Sequence, residues 1–168
     1  MKNKKIVIVI VIAIVLTMFF WWGKSIQKPI SEDYNLTRAT ESALISSEQL
    51  YNFGTISMTN GNVSRNFIMT NSTNKDIVVK SVETSCMCTQ AFLVESDGSI
   101  KGPFGMAGMG GVTKTEEIIK AGEDRILRVV YNPNAHGPAG VGNIDRFVIV
   151  TDSYGNALRF EIKALVTP

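Results

Sequence analysis

The stretch LRFEIKA, residues 158–164, has an apolar side chain at every even-numbered position and a charged one at every odd-numbered position. Because successive side chains of a β-strand point to opposite faces of a sheet, this period of two predicts a strand with one buried and one solvated face. Residues 146–151 (RFVIVT) predict a strand covered on both faces. The turn residues at 152–156 (DSYGN) join the two strands into a hairpin.

The same kind of pattern continues upstream of this hairpin. Short apolar or alternating runs separated by turn residues predict further strands at 51–57, 63–70, 76–82, 90–94 and 126–131. About seven short strands with frequent turns and no convincing helix are typical of an immunoglobulin-like sandwich. We therefore predict an all-β, immunoglobulin-like antiparallel β-sandwich. Two longer loops, 98–113 and 132–144, interrupt the even spacing, and loops of this kind often carry function.

The N-terminal part differs from the rest of the chain. Residues 6–22 (IVIVIVIAIVLTMFFWW) form an apolar run of 17 whose only polar member is Thr17. As a helix this run would be about 25 Å long, within the range of membrane-spanning helices. It predicts a transmembrane signal anchor, with Trp21 and Trp22 at the outer membrane interface. A cleaved signal peptide, with Gly23 and Ser25 at the cleavage site, is the alternative.

Charge gives the orientation of this helix. Lys2, Lys4 and Lys5 precede it, so the positive-inside bias keeps the N-terminus in the cytoplasm and places the domain outside the cell membrane. These three of the 17 basic residues would stay in the cytoplasm. The exported part then has 14 basic and 15 acidic residues. Such a near-neutral domain predicts no nucleic-acid partner. The predicted boundaries are 1–5 (cytoplasmic), 6–22 (transmembrane), 23–49 (linker) and 50–168 (immunoglobulin-like domain).

Several of these features occur in the order of a known family. They are Tyr51 followed by FGTI at 53–56, FIMTN at 67–71, SCMCT at 85–89, AGE at 121–123 and the closing hairpin. The chain resembles the bacterial immunoglobulin-like family catalogued as domain of unknown function 1573, in which the cysteine motif is typically Ser-Cys-Gly-Cys-Thr. Met87 stands for the usual glycine, Ala121 for a proline, and 98–113 is an insertion. The resemblance implies export and an immunoglobulin-like or chaperone-like sandwich, without an established activity.

Enzyme chemistry finds little support in the sequence. His136 is the single histidine, so a His-rich metal centre is excluded, and no elbow motif supports a Ser-His-Asp arrangement. The glycine clusters lack the spacing of a phosphate-binding loop. We therefore predict a binding or scaffold domain that is anchored to the membrane and is not an enzyme. A protein partner would use an edge strand or the loop end of the sandwich.

The two cysteines carry the most specific chemistry. Thiolates and thioethers favour soft ions, so Cu(I) is the hypothesised cofactor. The candidate metal ligands are Cys86, Cys88, Met106, Met109 and His136, with Met87 inside the motif. The alternative is a disulfide between Cys86 and Cys88, since export favours oxidation.

Two further interpretations concern a function without metal. A short ring between residues two apart stores strain and is easily reduced, which would suit disulfide exchange with exported partners. The sequence neighbours Glu83, Met87 and Thr89, however, offer no cation to lower a thiol pKa. A purely structural module, resembling a pilus chaperone or another envelope protein, is the remaining alternative.

Overall fold

The structure, a computed structural model, describes residues 43–168. The predicted signal-anchor helix at 6–22, with Trp21 and Trp22, lies outside the described residues, and so do positions 23–42 of the predicted linker. Among residues 43–168 the helical segments are the two short 3₁₀ turns Met58–Asn60 and Gly137–Gly140. No helix in this part of the chain is long and apolar enough to cross a membrane.

Ten strands form two sheets of five. Sheet A contains, in order, β1 (Leu44–Ile45), β3 (Val63–Asn71), β8 (Asp124–Tyr131), β5 (Thr89–Val94) and β6 (Ile100–Phe104). Sheet B contains, in order, β2 (Leu50–Ser57), β10 (Ala157–Thr167), β9 (Gly142–Asp152), β4 (Ile77–Thr84) and β7 (Lys114–Ile119). The predicted all-β sandwich of two sheets is confirmed, and all seven predicted strands are present.

The core forms between the inward faces of the two sheets, as the alternating pattern of residues 158–164 predicts. On β10 the even-numbered residues are buried, and they are Leu158, Phe160, Ile162, Ala164 and Val166. The ring of Phe160 lies against that of Phe67 on β3 of the other sheet, with 5.0 Å between the ring centroids. Aromatic contacts of this kind add to the stabilisation from burial, so this pair helps to hold the two sheets together.

The prediction of an antiparallel sandwich of about seven strands needs two corrections for the described residues. First, β2 pairs parallel with β10, with Leu50 opposite Glu161 and Ser57 opposite Thr167. A parallel pair needs a long connection, and here most of the domain lies between the two strands. Second, there are three additional strands, of which β1 is formed by Leu44 and Ile45 inside the predicted linker.

The other two additional strands, β6 and β7, have patterns that hide them. Strand β6 (IKGPF) contains a glycine and a proline, which edge strands tolerate. Strand β7 (KTEEII) has its alternation obscured because Glu117 faces the interior in phase with Ile119. A buried carboxylate requires a compensating charge, and the sequence of β7 alone contains none on that face.

Arg125 supplies that charge from the opposite sheet. Its Nη2 lies 2.9 Å from Oε1 of Glu117, and the side chains are only 5% and 3% exposed. The same guanidinium donates to the backbone oxygen of Ile118 at 3.1 Å. Lys101 on β6 donates to the other carboxylate oxygen, and this hydrogen bond, with a second to Glu95, raises the pKa of Lys101. The cluster thus joins β7 of sheet B to β8 and β6 of sheet A.

Asn71 forms a second polar link between the sheets. It is fully buried at the end of β3, and its Nδ2 donates to the backbone oxygens of Ile119 at 2.9 Å and Lys75 at 2.8 Å. Its Oδ1 accepts from the backbone N–H of Thr73 at 3.0 Å. The side chain therefore closes the β3–β4 turn and ties it to β7, which explains why an asparagine ends this strand.

We expect Arg125→Met to lower the free energy of unfolding by about 3 kcal/mol, since it removes the buried cation of Glu117 and leaves only the more exposed Lys101 beside that carboxylate. Urea denaturation of the full chain measures this loss. The matched control is Arg128→Met on the same strand, where the side chain makes one long hydrogen bond of 3.4 Å to Asn66. This control should lower the free energy of unfolding by less than about 1 kcal/mol. Equal losses in both variants would contradict the importance of the buried pair.

Candidate functional site

The cysteine motif forms the turn in which the chain passes from β4 in sheet B to β5 in sheet A. Ser85 fixes the start of this turn on β9: its N–H donates to the oxygen of Phe147 at 2.9 Å, and its Oγ accepts from the N–H of Phe147 at 3.0 Å. The N–H of Thr89 donates to the oxygen of Cys86 at 3.1 Å and closes the turn. The motif is therefore held by backbone bonds on both sides.

Met87 occupies the position at which the family that the sequence resembles typically has glycine. Among residues 43–168 no residue other than glycine has a positive φ, so this turn does not require the left-handed backbone that glycine favours. The Met87 side chain is instead free to face solvent, and it is 59% exposed. A methionine can thus replace the glycine without backbone strain.

The sulfur atoms of Cys86 and Cys88 are paired as a disulfide, and the Cα atoms are 5.2 Å apart. The two side chains differ in their surroundings. Cys88 is 2% exposed and belongs to the hydrophobic core, whereas Cys86 is half-buried at its margin. The pair is consequently placed at the boundary between the core and solvent.

Each sulfur has a nitrogen partner that is distant in sequence. Nε of Arg146 donates to Sγ of Cys88 at 3.3 Å. Nε2 of His136 lies 3.3 Å from Sγ of Cys86, also within hydrogen-bonding distance. The sequence neighbours of the cysteines offer no cation, but the fold brings the guanidinium of Arg146 to Cys88 from β9.

Arg146 is the functional candidate that the sequence interpretation missed. It lies on β9 in phase with Ile144, Val148 and Val150, which are buried, so its side chain starts from the core-facing side of the strand. A charged residue in phase with buried positions needs a polar partner. That phase is the signal in the sequence, but the partner, Cys88, becomes evident only in the fold.

His136 reaches the turn because its loop is tied to it. The N–H of Asn132 donates to the oxygen of Cys88 at 2.9 Å, at the start of the loop 132–144. The exposed His136 then precedes the 3₁₀ turn Gly137–Gly140. Tyr131, next to this loop, is buried, and its desolvation raises its pKa, an effect that the charge of Arg146 opposes. Tyr131, at 1% exposure, and Cys88, at 2%, are both shielded from water.

The methionines lie around a groove that begins at the cysteine turn. Met87, Met106 and Met109 line this groove, which has a volume of about 720 Å³ and is also bordered by β6. Met109 is 60% exposed. The structure thus divides the predicted metal ligands into two sets. The ligand atoms of Cys86, Cys88 and His136 lie within 4.8 Å of one another, and the methionines form the wall of the groove.

Fold and site together define the class: an immunoglobulin-like β-sandwich with a Cys-x-Cys turn between its sheets. Residues 44–102 match the model of the family described as "Protein of unknown function (DUF1573)". This match confirms, over those residues, the family that the sequence resembles. No curated protein matches the sequence.

Several solved structures are similar to this chain at low sequence identity. A protein of unknown function from Porphyromonas gingivalis W83 is 14% identical with a TM-score of 0.53, over 73% of this chain and 46% of that one. This chain therefore spans less than half of that protein. PapD-like domain 7 of human CEP192 is 11% identical with a TM-score of 0.47, over 74% and 85% of the two chains. The periplasmic chaperone SfaE is 13% identical with a TM-score of 0.37, over 74% and 57%.

The exposure of the methionines predicts their order of oxidation. Met87 and Met109 are exposed, whereas Met69 is fully buried in the core. Dilute hydrogen peroxide should therefore convert Met87 and Met109 to the sulfoxide at least about tenfold faster than Met69, since the oxidant must reach the sulfur. Peptide mass spectrometry over time measures the three rates. Equal rates in the folded chain would contradict the placement of these side chains.

Proposed function

We propose that the chain is an exported immunoglobulin-like interaction domain whose Cys86–Cys88 pair is a reversible thiol–disulfide site. The observation that carries this proposal is that each sulfur lies 3.3 Å from a nitrogen of a basic side chain, Arg146 for Cys88 and His136 for Cys86. Cationic neighbours stabilise thiolates, which are the reactive form of cysteine in disulfide exchange. In this proposal the site exchanges stoichiometrically with protein thiols and does not turn over as an enzyme.

The sequence separation of the pair supports reversibility. A bridge between residues two apart closes a small, strained ring. Such a disulfide is reduced more easily than an ordinary structural disulfide. Export, which is expected from the apolar run at 6–22, would place the pair where protein disulfides form and persist. The partners would then be exported proteins that approach the loop end of the sandwich, where Cys86 is partly exposed.

We expect the Cys86–Cys88 pair to be reduced and reoxidised reversibly, with a potential above about −300 mV, the region below which structural disulfides lie. The full chain is equilibrated in dithiothreitol and glutathione buffers of graded potential, quenched by alkylation and weighed by mass spectrometry. The Cys86→Ser/Cys88→Ser double variant is the control for mass changes elsewhere. A pair that stays oxidised in buffers below about −300 mV would identify a structural bridge instead.

Copper binding is the second candidate, for the reduced chain. It is supported by the grouping of Cys86, Cys88 and His136, whose ligand atoms lie within 4.8 Å of one another. Two thiolates and an imidazole are a donor set that suits a soft ion. Cysteines joined to each other cannot supply thiolates, so the ion and the disulfide exclude one another. Met106 and Met109 would border such a site from the groove.

The copper hypothesis predicts that the reduced full chain retains one Cu(I) against a competing chelator. His136→Asn should weaken retention about tenfold or more by removing one of three ligands, and the Cys86→Ser/Cys88→Ser variant should abolish it. Anaerobic titration followed by the absorbance of the chelator gives the affinities. Retention that is equal in the native chain and the double variant would exclude the cysteines as ligands.

A further inference from the structure

We propose that the two sulfurs of this site have fixed and different roles. An incoming thiolate attacks Cys86, and Cys88 leaves as a thiolate that Arg146 stabilises. The inference rests on the proposed thiol–disulfide function. It adds which sulfur is attacked, the residue that stabilises the leaving sulfur, and the class of substrate, a protein dithiol. It follows from the asymmetry of the surroundings of the two sulfurs.

Access is the first part of the asymmetry. A thiolate must reach the sulfur that it attacks, so the more exposed sulfur of a bridge is the preferred target. Cys86 is half-buried at the margin of the core, next to the exposed residues Met87 and His136. Cys88 is 2% exposed and packs within the core. Cys86 is therefore the more accessible of the two residues from solvent.

Stabilisation of the leaving sulfur is the second part. Disulfide exchange is faster when the departing sulfur is the better leaving group. Nε–H of Arg146 donates to Sγ of Cys88 at 3.3 Å, and a guanidinium carries a full positive charge. Charge-assisted hydrogen bonds of this kind are stronger than neutral ones. The negative charge that develops on Cys88 during bond cleavage thus meets a cation that is already in place.

Arg146 is held in this position by the sheet that carries it. In the pairing of β9 with β10, Arg146 lies opposite Ile162. Its Nη1 donates to the backbone oxygen of Asp145 at 2.7 Å. Thr89 adds a hydroxyl 3.7 Å from Sγ of Cys88. The stabilising group is therefore part of a central strand, and no rearrangement is needed to bring it to the sulfur.

The complete exchange balances with a protein dithiol as the substrate. The first partner thiolate forms a bond to Sγ of Cys86, the Cys86–Cys88 bond breaks, and its electron pair moves to Sγ of Cys88. The second partner thiolate then attacks the partner's own sulfur in the mixed disulfide and releases Cys86 as a thiolate beside Nε2 of His136. The partner dithiol loses two electrons and becomes a disulfide, and the cysteine pair gains them.

The position of the mixed disulfide tests this direction in the native sequence. The oxidised full chain is mixed with reduced glutathione, and acid stops the exchange after short times by protonating thiolates. Digestion by pepsin and fragmentation across Met87 then show which cysteine carries glutathione. We expect the adduct on Cys86 in at least about tenfold excess over Cys88, because Cys86 is the more accessible of the two.

The contribution of Arg146 is tested by the rate of bond opening. We expect Arg146→Met to open about tenfold more slowly than the native chain with the same glutathione, and Arg146→Lys to recover most of the rate. Arg128→Met, which removes an arginine from β8, should leave the rate unchanged. Thermal unfolding of each variant shows whether it is folded.

The possible results separate the two proposals. An adduct on Cys88, or equal adducts on both cysteines, would overturn the direction while leaving the exchange itself intact. An unchanged rate in folded Arg146→Met would overturn the role of the guanidinium. If glutathione fails to open the bond in the native chain at any time, the thiol–disulfide function itself is refuted.

Discussion

The passage of the chain from sheet B to sheet A at residues 85–88 is the constraint on which the site depends. A strand that changes sheets must leave one set of hydrogen bonds and enter another, and Ser85 maintains the first set through its two bonds to Phe147. The backbone oxygen of Cys88 accepts a hydrogen bond from the N–H of Asn132, at the start of the loop 132–144. The two sulfurs are thereby placed where both sheets and a long loop meet.

The opposite end of β4 is secured by polar groups instead of sulfur. Ile77, where β4 begins, pairs with Ile119, whose oxygen accepts from the buried Asn71. The Glu117–Arg125 pair lies nearby and crosses from one sheet to the other. Because removing one member of a buried ion pair leaves an uncompensated charge, the two groups must stay opposite each other, which fixes the relative placement of the sheets. The cysteine end can then carry reactive groups while the other end maintains the architecture.

Much of the fold could be predicted from the sequence because its central strands obey simple periodicity. The pattern of β10 reports its buried face directly, and the turn at 152–156 identifies its hairpin partner. Strand β7 is obscured because Glu117 takes an inward position that its own segment does not explain. The partner is Arg125, eight residues further along and in the other sheet. Periodicity describes single strands, and compensation between strands needs the fold.

The site shows the same limit. The cysteines, the methionines and His136 stand out in the sequence by their chemistry, and the convergence of their loops follows from a sandwich. The contact between Arg146 and Cys88 depends on the register of β9, since a shift by one residue would turn Arg146 to the outer face. Register is a property of paired strands, so this contact could not be read from either segment alone.

The parallel pairing of β2 with β10 has a mechanical consequence. A chain held on the N-terminal side of β2 and pulled at the end of β10 would load the two neighbouring strands in opposite directions along their length. Their paired positions, from Leu50 with Glu161 to Ser57 with Thr167, would then resist in shear, and all of these contacts would share the force at once. An antiparallel pair loaded from one end would open one contact at a time, so this arrangement favours resistance to tension along the chain.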